Sequence, residues 1–406
     1  MPDTSTRPMR VLIGTDTFAP DINGAARFAR NLAVRLSRRG HSVHVVAPST
    51  NLSSSTATEL LDGELITVHR LRSVRWLLHD WIRFPPPWEI AKAVCSVLDE
   101  IEPDVVHIQS FINIGRSLSI AARARHIPLV ATNHVMPDNI IEYSGLPRQL
   151  HPPLTRFGWN LASSVLGEAD IVTSPTPIAA NYLAKNTTVG SVIPLSCGVD
   201  LSRFAPHFTR PPGNRVLYVG RLDAEKRLDT LLQAFAQVSV ALDAHLDIVG
   251  GGTELRRLEK LADSLGIADR VQFHGRVTDA QIDELYTQAS LFAMPSTAEL
   301  QSIATLEAMA SGVPVVLADA MALPHLIDRG LNGILVPPRN PAELAHAIET
   351  ILTLPDEAYT AMRRHSYEHS LTHDSTAITK RYEELYRDAR AKTHERAGAL
   401  SAISTA

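Results

Sequence analysis

Short β-branched runs alternate with longer amphipathic segments along most of the chain. Residues 11–14 form a continuous apolar run ending in glycine, and helical spacing follows over 23–40. Residues 43–47 predict the next strand, stopped by Pro48. Val105–Ile108, Leu129–Thr132 and 171–173 repeat the theme. Most of these runs are apolar on both faces, as in a parallel sheet covered by helices on each side. The alternation predicts a doubly wound α/β fold.

Over 196–214 the texture changes to SCGVDLSRFAPHFTRPPGN, rich in Pro, Gly and polar residues, which reads as an interdomain linker. A second series follows, with strands at 216–219, 246–249, 271–273, Leu291–Met294, 313–317 and Gly333–Val336. Its helices fall near 228–240, 254–265, 279–289 and 303–311. From 355 to about 392 the chain is helical and charged, and its last ten residues, AGALSAISTA, are expected to fray. Two doubly wound Rossmann-like domains are therefore expected over 9–200 and 214–375. Residues 201–213 link them, and 376–406 form a C-terminal helix and tail that crosses back to the first domain. Two such domains are expected to face each other across a cleft, with ligands at the carboxyl ends of the strands.

Composition narrows the classes. The chain has 406 residues, 45% hydrophobic and 20% charged, with a net charge of −4. That excludes a disordered or collagen-like chain and gives no whole-chain case for nucleic-acid binding. Cys95 and Cys197 stand far apart in no metal spacing, which suits a reducing compartment. No run of about 18 apolar residues is present. The N-terminus lacks the pattern of a signal peptide, so the expected location is the cytoplasm.

Candidate chemistry lies in the loops after strands. The loop from Gly14 to Ala25 lacks GxGxxG and disfavours a nicotinamide cofactor; Gly24 would let a phosphate or sugar approach, or simply serve a tight turn. Arg221 and Lys226 follow a strand and precede a helix, where they either clamp a diphosphate or form a solvated pair. Glu299 and Glu307 lie eight residues apart on a strand–loop–helix junction. If the helix begins near Ser302, Glu299 stands in the loop and Glu307 inside the helix. Carboxylates there are natural acceptors for sugar hydroxyls. His134 follows a strand of the first domain, in either a structural or a functional role.

Gly220-Arg221 with Lys226, and Glu299 and Glu307 ahead of AMASGVPVV, resemble the nucleotide-sugar site of the retaining family-4 glycosyltransferases. Asn23-Gly24 with Phe28, Gly198-Val199-Asp200 with Phe204, and Gly250-Gly251-Gly252 extend the resemblance over roughly 9–390. It implies two GT-B domains, the first for the acceptor and the second for the donor. It implies that Arg221 and Lys226 bind the donor diphosphate, Glu307 the ribose hydroxyls and Glu299 the transferred sugar. Ser302 and Ile303 would line the donor site, His134 would lie near the sugar, and Gly24 would let the phosphate approach. The implied reaction moves a hexose from a UDP- or GDP-sugar to a lipid or glycan hydroxyl with retention. The competing reading is a non-catalytic sugar or nucleotide binder that kept the fold.

Departures point to an unusual acceptor or sugar. Gln301-Ser302 stand where the family often has Phe-Gly, and Asn133 where an aromatic residue is common. Asn133, Met136 and Tyr143 are therefore candidate acceptor residues. No Asp-x-Asp element occurs; the two cations can supply its charge, so neither a metal nor another cofactor is expected.

Helix 25–40 carries Arg27, Arg30, Arg35, Arg38 and Arg39 without an acid, and 71–88 holds Trp76, Trp81 and Trp88 among arginines. This pattern suits peripheral contact with an anionic membrane, at the inner face of the plasma membrane. Solvated arginines, and a tryptophan lid over the acceptor site, are the other readings.

Overall fold

The computed structural model describes residues 7–21, 23–75, 83–142, 146–328 and 330–404. They form two units: one holds the residues up to Leu195 together with those from Thr376 onward, and the other spans Ser196–Ser375.

In the first unit the strands are β1 (Arg10–Gly14), β2 (Ser42–Pro48), β3 (Ser55–Leu61), β4 (Glu64–Leu71), β5 (Val74–Arg75), β6 (Arg83–Phe84), β7 (Val105–Ile108), β8 (Leu129–Thr132), β9 (Ile171–Ser174) and β10 (Val192–Pro194). Its main sheet runs β10-β9-β8-β7-β1-β2-β4-β3, and β5 pairs with β6 apart from it. All neighbours in the main sheet are parallel except β3 and β4, an antiparallel pair. The helices are α1 (Gly24–Arg38), α2 (Pro87–Ile101), α3 (Asn113–Ala124), α4 (Pro137–Glu142), α5 (His151–Leu166) and α6 (Pro177–Asn186). Leu12, Val106, Ile108 and Ala131 from the sheet bury against Val94, Leu98, Ile114 and Leu118 of α2 and α3. Each of the Val, Leu and Ile side chains contributes about 1.5–3 kcal/mol on burial.

The second unit has β11 (Asn214–Val219), β12 (Ala244–Val249), β13 (Val271–Gly275), β14 (Leu291–Met294), β15 (Val315–Ala318) and β16 (Gly333–Val336), in the parallel order β13-β12-β11-β14-β15-β16. Its helices are α7 (Leu228–Phe235), α8 (Leu255–Ser264), α9 (Asp279–Gln288), α10 (Ile303–Ala310), α11 (Pro341–Leu352) and α12 (Asp356–Leu371). The inner strands β14 and β15 are short, wholly buried apolar runs because helices cover both faces, whereas the edge strand β13 is mostly half-buried or exposed.

Several features differ from the sequence reading. The β3–β4 hairpin was not expected; six of the seven residues of β3 are exposed or half-buried, which removes the alternation that marks a strand. The polar segment after residue 200 carries a 3₁₀ turn, Leu201–Arg203, and buries Phe204 against Tyr286, so this stretch packs as part of the second unit. α13 (Ser375–Ser404) continues through most of the residues expected to fray. Its Tyr382, Leu385, Tyr386 and Ala389 form a buried stripe at helical spacing within the first unit. Among the described residues no helix is long and apolar enough to cross a membrane.

Candidate functional site

Most of the candidates lie in the second unit, at the carboxyl ends of β11 and β14. After β11 the chain passes Gly220 and Arg221 and makes a 3₁₀ turn at Ala224–Lys226. This strap packs tightly on the triple glycine after β12. Leu222 N donates to Gly251 O at 3.0 Å, and Glu254 N to Leu222 O at 2.9 Å. A Cβ on Gly250, whose φ is +133°, would lie 1.9 Å from Gly220 O, and one on Gly252 would lie 2.4 Å from Leu222 O. The glycines are needed because the strap that carries Arg221 lies directly on them.

After β14 comes the loop with Glu299. Thr297 N donates to Glu225 O at 3.1 Å, and Ala322 N to Glu299 O at 3.2 Å. Lys226 Nζ donates to Glu299 Oε1 at 2.7 Å, with both side chains largely buried. The fold therefore brings together a cation and a carboxylate that the sequence offered separately. Arg221 lies between two acids: its guanidinium pairs with Asp223 and donates to Glu225 Oε1 at 2.6 Å. Glu225, which the sequence reading passed over, thus grips Arg221 with its side chain and the Glu299 loop with its backbone.

The expected helix start is where the sequence placed it. Ser302 is the buried N-cap of α10, its Oγ accepting from Thr305 N at 3.3 Å, and Ile303 is the first helical residue. The open amides and positive dipole end of this helix favour an anion. Glu307 is buried one turn further on and accepts from Tyr286 Oη at 3.2 Å. Tyr286, on α9, gave no sequence signal beyond its place on an apolar helix face.

In the first unit, Gly24 opens α1 behind the N-cap Asn23, whose side chain accepts from Ala26 N at 2.9 Å. His134 follows β8. Its ring centroid lies 4.9 Å from that of Phe28, and its Nε2 donates to Gln109 Oε1 at 2.9 Å. That contact leaves Nδ1 with its lone pair. Burial pushes His134 down to about 3, so it is neutral at physiological pH. Beneath it, His107 joins Thr132 Oγ1 at 2.7 Å and Tyr386 Oη at 2.8 Å; burial pushes it down to about 3 as well.

Asn133 and Met136, expected to face an acceptor, are both buried. Asn133 Oδ1 accepts from Val135 N at 3.3 Å, a local turn contact. Tyr143, Trp76 and Trp81 lie outside the described residues. Trp88 is exposed. On α1 and at its C-cap, Arg30 pairs with Asp62, Arg38 with Glu64, and the C-cap Arg39 with Glu383. Much of the acid-free helix is thus balanced by acids from other elements.

Two largely parallel sheets flanked by helices, the second with basic and acidic side chains at its strand ends, agree with the glycosyltransferase resemblance. Family models support it: "Glycosyltransferase Family 4" matches residues 22–203, and "Glycosyl transferases group 1" matches 203–369. The chain is 30% identical to D-inositol 3-phosphate glycosyltransferase 1 of Catenulispora acidiphila, covering 75% of this chain and 79% of that protein. It is 28% identical to a GDP-mannose-dependent alpha-mannosyltransferase of Corynebacterium glutamicum, covering 81% and 77%. It is 27% identical to the alpha-monoglucosyldiacylglycerol synthase of Streptococcus pneumoniae, covering 94% and 86%. Its fold matches sucrose-phosphate synthase of Thermosynechococcus elongatus with a TM-score of 0.79 at 23% identity, over 95% of this chain and 100% of that one. The chain belongs to the family-4 glycosyltransferases, of GT-B type. It is an enzyme that transfers glycosyl groups.

Proposed function

We propose that the chain transfers a hexose from a UDP- or GDP-sugar to a hydroxyl of a lipid or glycan acceptor, with retention and without a metal. The observation that carries this reading is the Lys226–Glu299 pair beside the N-cap of α10. Lys226 holds the leaving diphosphate with the amides of α10, and Arg221, itself paired with Asp223 and Glu225, offers a further guanidinium donor. Together they supply the charge that a metal clamp gives in other transferases. Glu307 holds the ribose hydroxyls and Glu299 contacts the sugar. His134, neutral and oriented by Gln109, is the sugar-contacting group of the first unit.

Retention fits a same-face displacement. The bond from the anomeric carbon to the phosphate oxygen breaks, the acceptor oxygen bonds to that carbon, and the leaving phosphate takes the acceptor's proton. The cations stabilise the charge that develops on the phosphate.

Mannose and glucose donors are supported by the names of the relatives, and a lipid acceptor by the diacylglycerol-glucosylating one. Peripheral contact with an anionic membrane belongs to the lipid reading, and flotation with anionic liposomes tests it: a chain that stays at the bottom of the gradient rejects it.

The principal test is a panel of UDP-glucose, UDP-galactose, UDP-glucuronate, UDP-N-acetylglucosamine and GDP-mannose, each with EDTA, read by thermal shift and donor turnover. One donor is expected to stabilise and turn over without metal. Turnover that EDTA abolishes rejects metal independence, and a chain that binds none of the five rejects the donor reading.

A further inference from the structure

Gln301 departs from the family pattern, and the structure gives its side chain a specific task. It lies two residues after Glu299 and immediately before the N-cap Ser302. Its Oε1 accepts from Cys197 N at 2.7 Å, and its Nε2 donates to Ser196 Oγ at 2.9 Å. Both partners lie more than a hundred residues earlier, in the segment where the chain enters the second unit.

That segment is itself held on the one by which the chain leaves. Val199 N donates to His373 O at 2.9 Å, and Ser375 N to Val199 O at 3.0 Å. Gly198 has φ +77°, and a Cβ there would lie 2.9 Å from Ser375 Cα, so only glycine permits the approach. Ser196 Oγ also accepts from Gly198 N at 3.1 Å and lies 2.9 Å from His373 Nδ1. With two donors already on this oxygen, its own proton goes to His373 Nδ1, which must then be an unprotonated acceptor. Burial, with His325 and His369 nearby, keeps His373 down to about 4, in agreement with that role.

Further anchors of the loop act before or at Glu299: the Glu225 carbonyl receives Thr297 N and Ser296 Oγ, and Ala322 N binds Glu299 O. Between Glu299 and the start of α10, Gln301 ties the loop to a distant segment of the chain through two hydrogen bonds. A side chain that both donates and accepts fixes the rotation of the loop, which a lone apolar contact does not.

We propose that Gln301 is a positioning residue for the donor site, tying the Glu299–Ser302 loop to the entry segment at Ser196–Cys197 and so setting where Glu299 and the first amides of α10 stand. The proposal rests on the donor reading given above. It differs from a sugar-contacting role for this position, since both polar atoms of the amide are engaged with the protein.

The test uses the full chain and the donor it turns over among the five nucleotide sugars. Gln301→Met keeps the length and removes both hydrogen bonds. Its kcat is expected to fall at least tenfold while Tm stays within a few degrees of wild type. Gln301→Glu keeps an acceptor for the Cys197 amide but loses the donor to Ser196 Oγ, and is expected to recover part of the loss. Hydrogen exchange reads the tether without any donor: the Cys197 amide and those of 299–302 are expected to exchange faster in Gln301→Met. Wild-type exchange or wild-type turnover in that variant overturns the proposal. A loss of Tm that matches the loss of activity, with no recovery in Gln301→Glu, overturns it in favour of a purely structural part. A wild-type chain that turns over no donor overturns the donor reading and this proposal with it, whereas an active wild type with an equally active Gln301→Met overturns the positioning role alone.

Discussion

Lys226 and Glu299 stand 73 residues apart in sequence, and their charged atoms lie 2.7 Å apart in the fold. Both side chains are largely buried, so each faces the other more than it faces water. A diphosphate held by Lys226 would share it with this carboxylate, which links donor binding to the orientation of Glu299.

Replacing Lys226 by Met is expected to lower kcat by about 10²–10³-fold, the usual scale for losing one group that stabilises developing negative charge. It also leaves a buried carboxylate without its cation, at a cost of about 3 kcal/mol in stability. The double variant Lys226→Met/Glu299→Gln should regain the lost Tm and remain inactive. Activity in the double variant would remove Lys226 from the mechanism.

Glu307 and Tyr286 are expected to separate by magnitude. On the proposed role of Glu307, Glu307→Gln removes a charged acceptor for the ribose hydroxyls and should raise the donor KM by about 10–100-fold. Tyr286→Phe removes the hydroxyl that orients this carboxylate, a contact worth about 1.5 kcal/mol, and should raise KM by about tenfold at most. Initial rates against donor concentration decide it; equal effects would place Glu307 away from the donor.

Gly252→Ala sets a methyl carbon 2.4 Å from the Leu222 carbonyl, and backbone cannot give way as a side chain can. The strap that carries Arg221 must shift. Tm is expected to fall by several degrees and donor turnover with it, while Gly266→Ala, where a Cβ meets nothing, tests the strain of φ +69° by itself. Thermal melts of the two variants separate crowding from backbone strain.

Acid should destabilise the chain through its buried imidazoles. His107 and His134 are held down to about 3 and His373 to about 4, against an ordinary 6.5. As pH falls below 6.5 the unfolded chain takes up protons that the folded chain refuses, so stability is full at neutral pH. It is lost progressively from about 6.5 down toward 4 and 3, at up to about 1.4 kcal/mol per pH unit for each group. Tm measured from pH 7.5 to 4.5 should fall, and His107→Asn should make the slope shallower; a flat profile would contradict the burial of these groups.

Much of this was legible in the sequence. The strands at Val105–Ile108, Leu129–Thr132, Leu291–Met294 and Gly333–Val336 stand where continuous apolar runs put them, because parallel strands are buried on both faces. Ser302 was readable as a helix start through its capping side chain. What sequence could not supply were partners distant along the chain. Nothing local says that Lys226 meets Glu299, that Glu225 grips Arg221, or that Gln109 sets the tautomer of His134. Gln301 was visible only as a departure, because its partners lie at Ser196 and Cys197. β3 escaped for the opposite reason: it is a strand with hardly any buried side of its own.

The stripe of Tyr382, Leu385, Tyr386 and Ala389 on α13 has a consequence for the order of assembly. Tyr386 bonds to His107 on β7, and Glu383 binds Arg39 and His41. The first unit is therefore interrupted in sequence and closed by its final helix, while the second is a continuous piece, Ser196–Ser375. On the ribosome the second unit has all of its residues first. The first must wait, with its sheet laid out and its last polar and aromatic partners still unmade, until α13 has been synthesised.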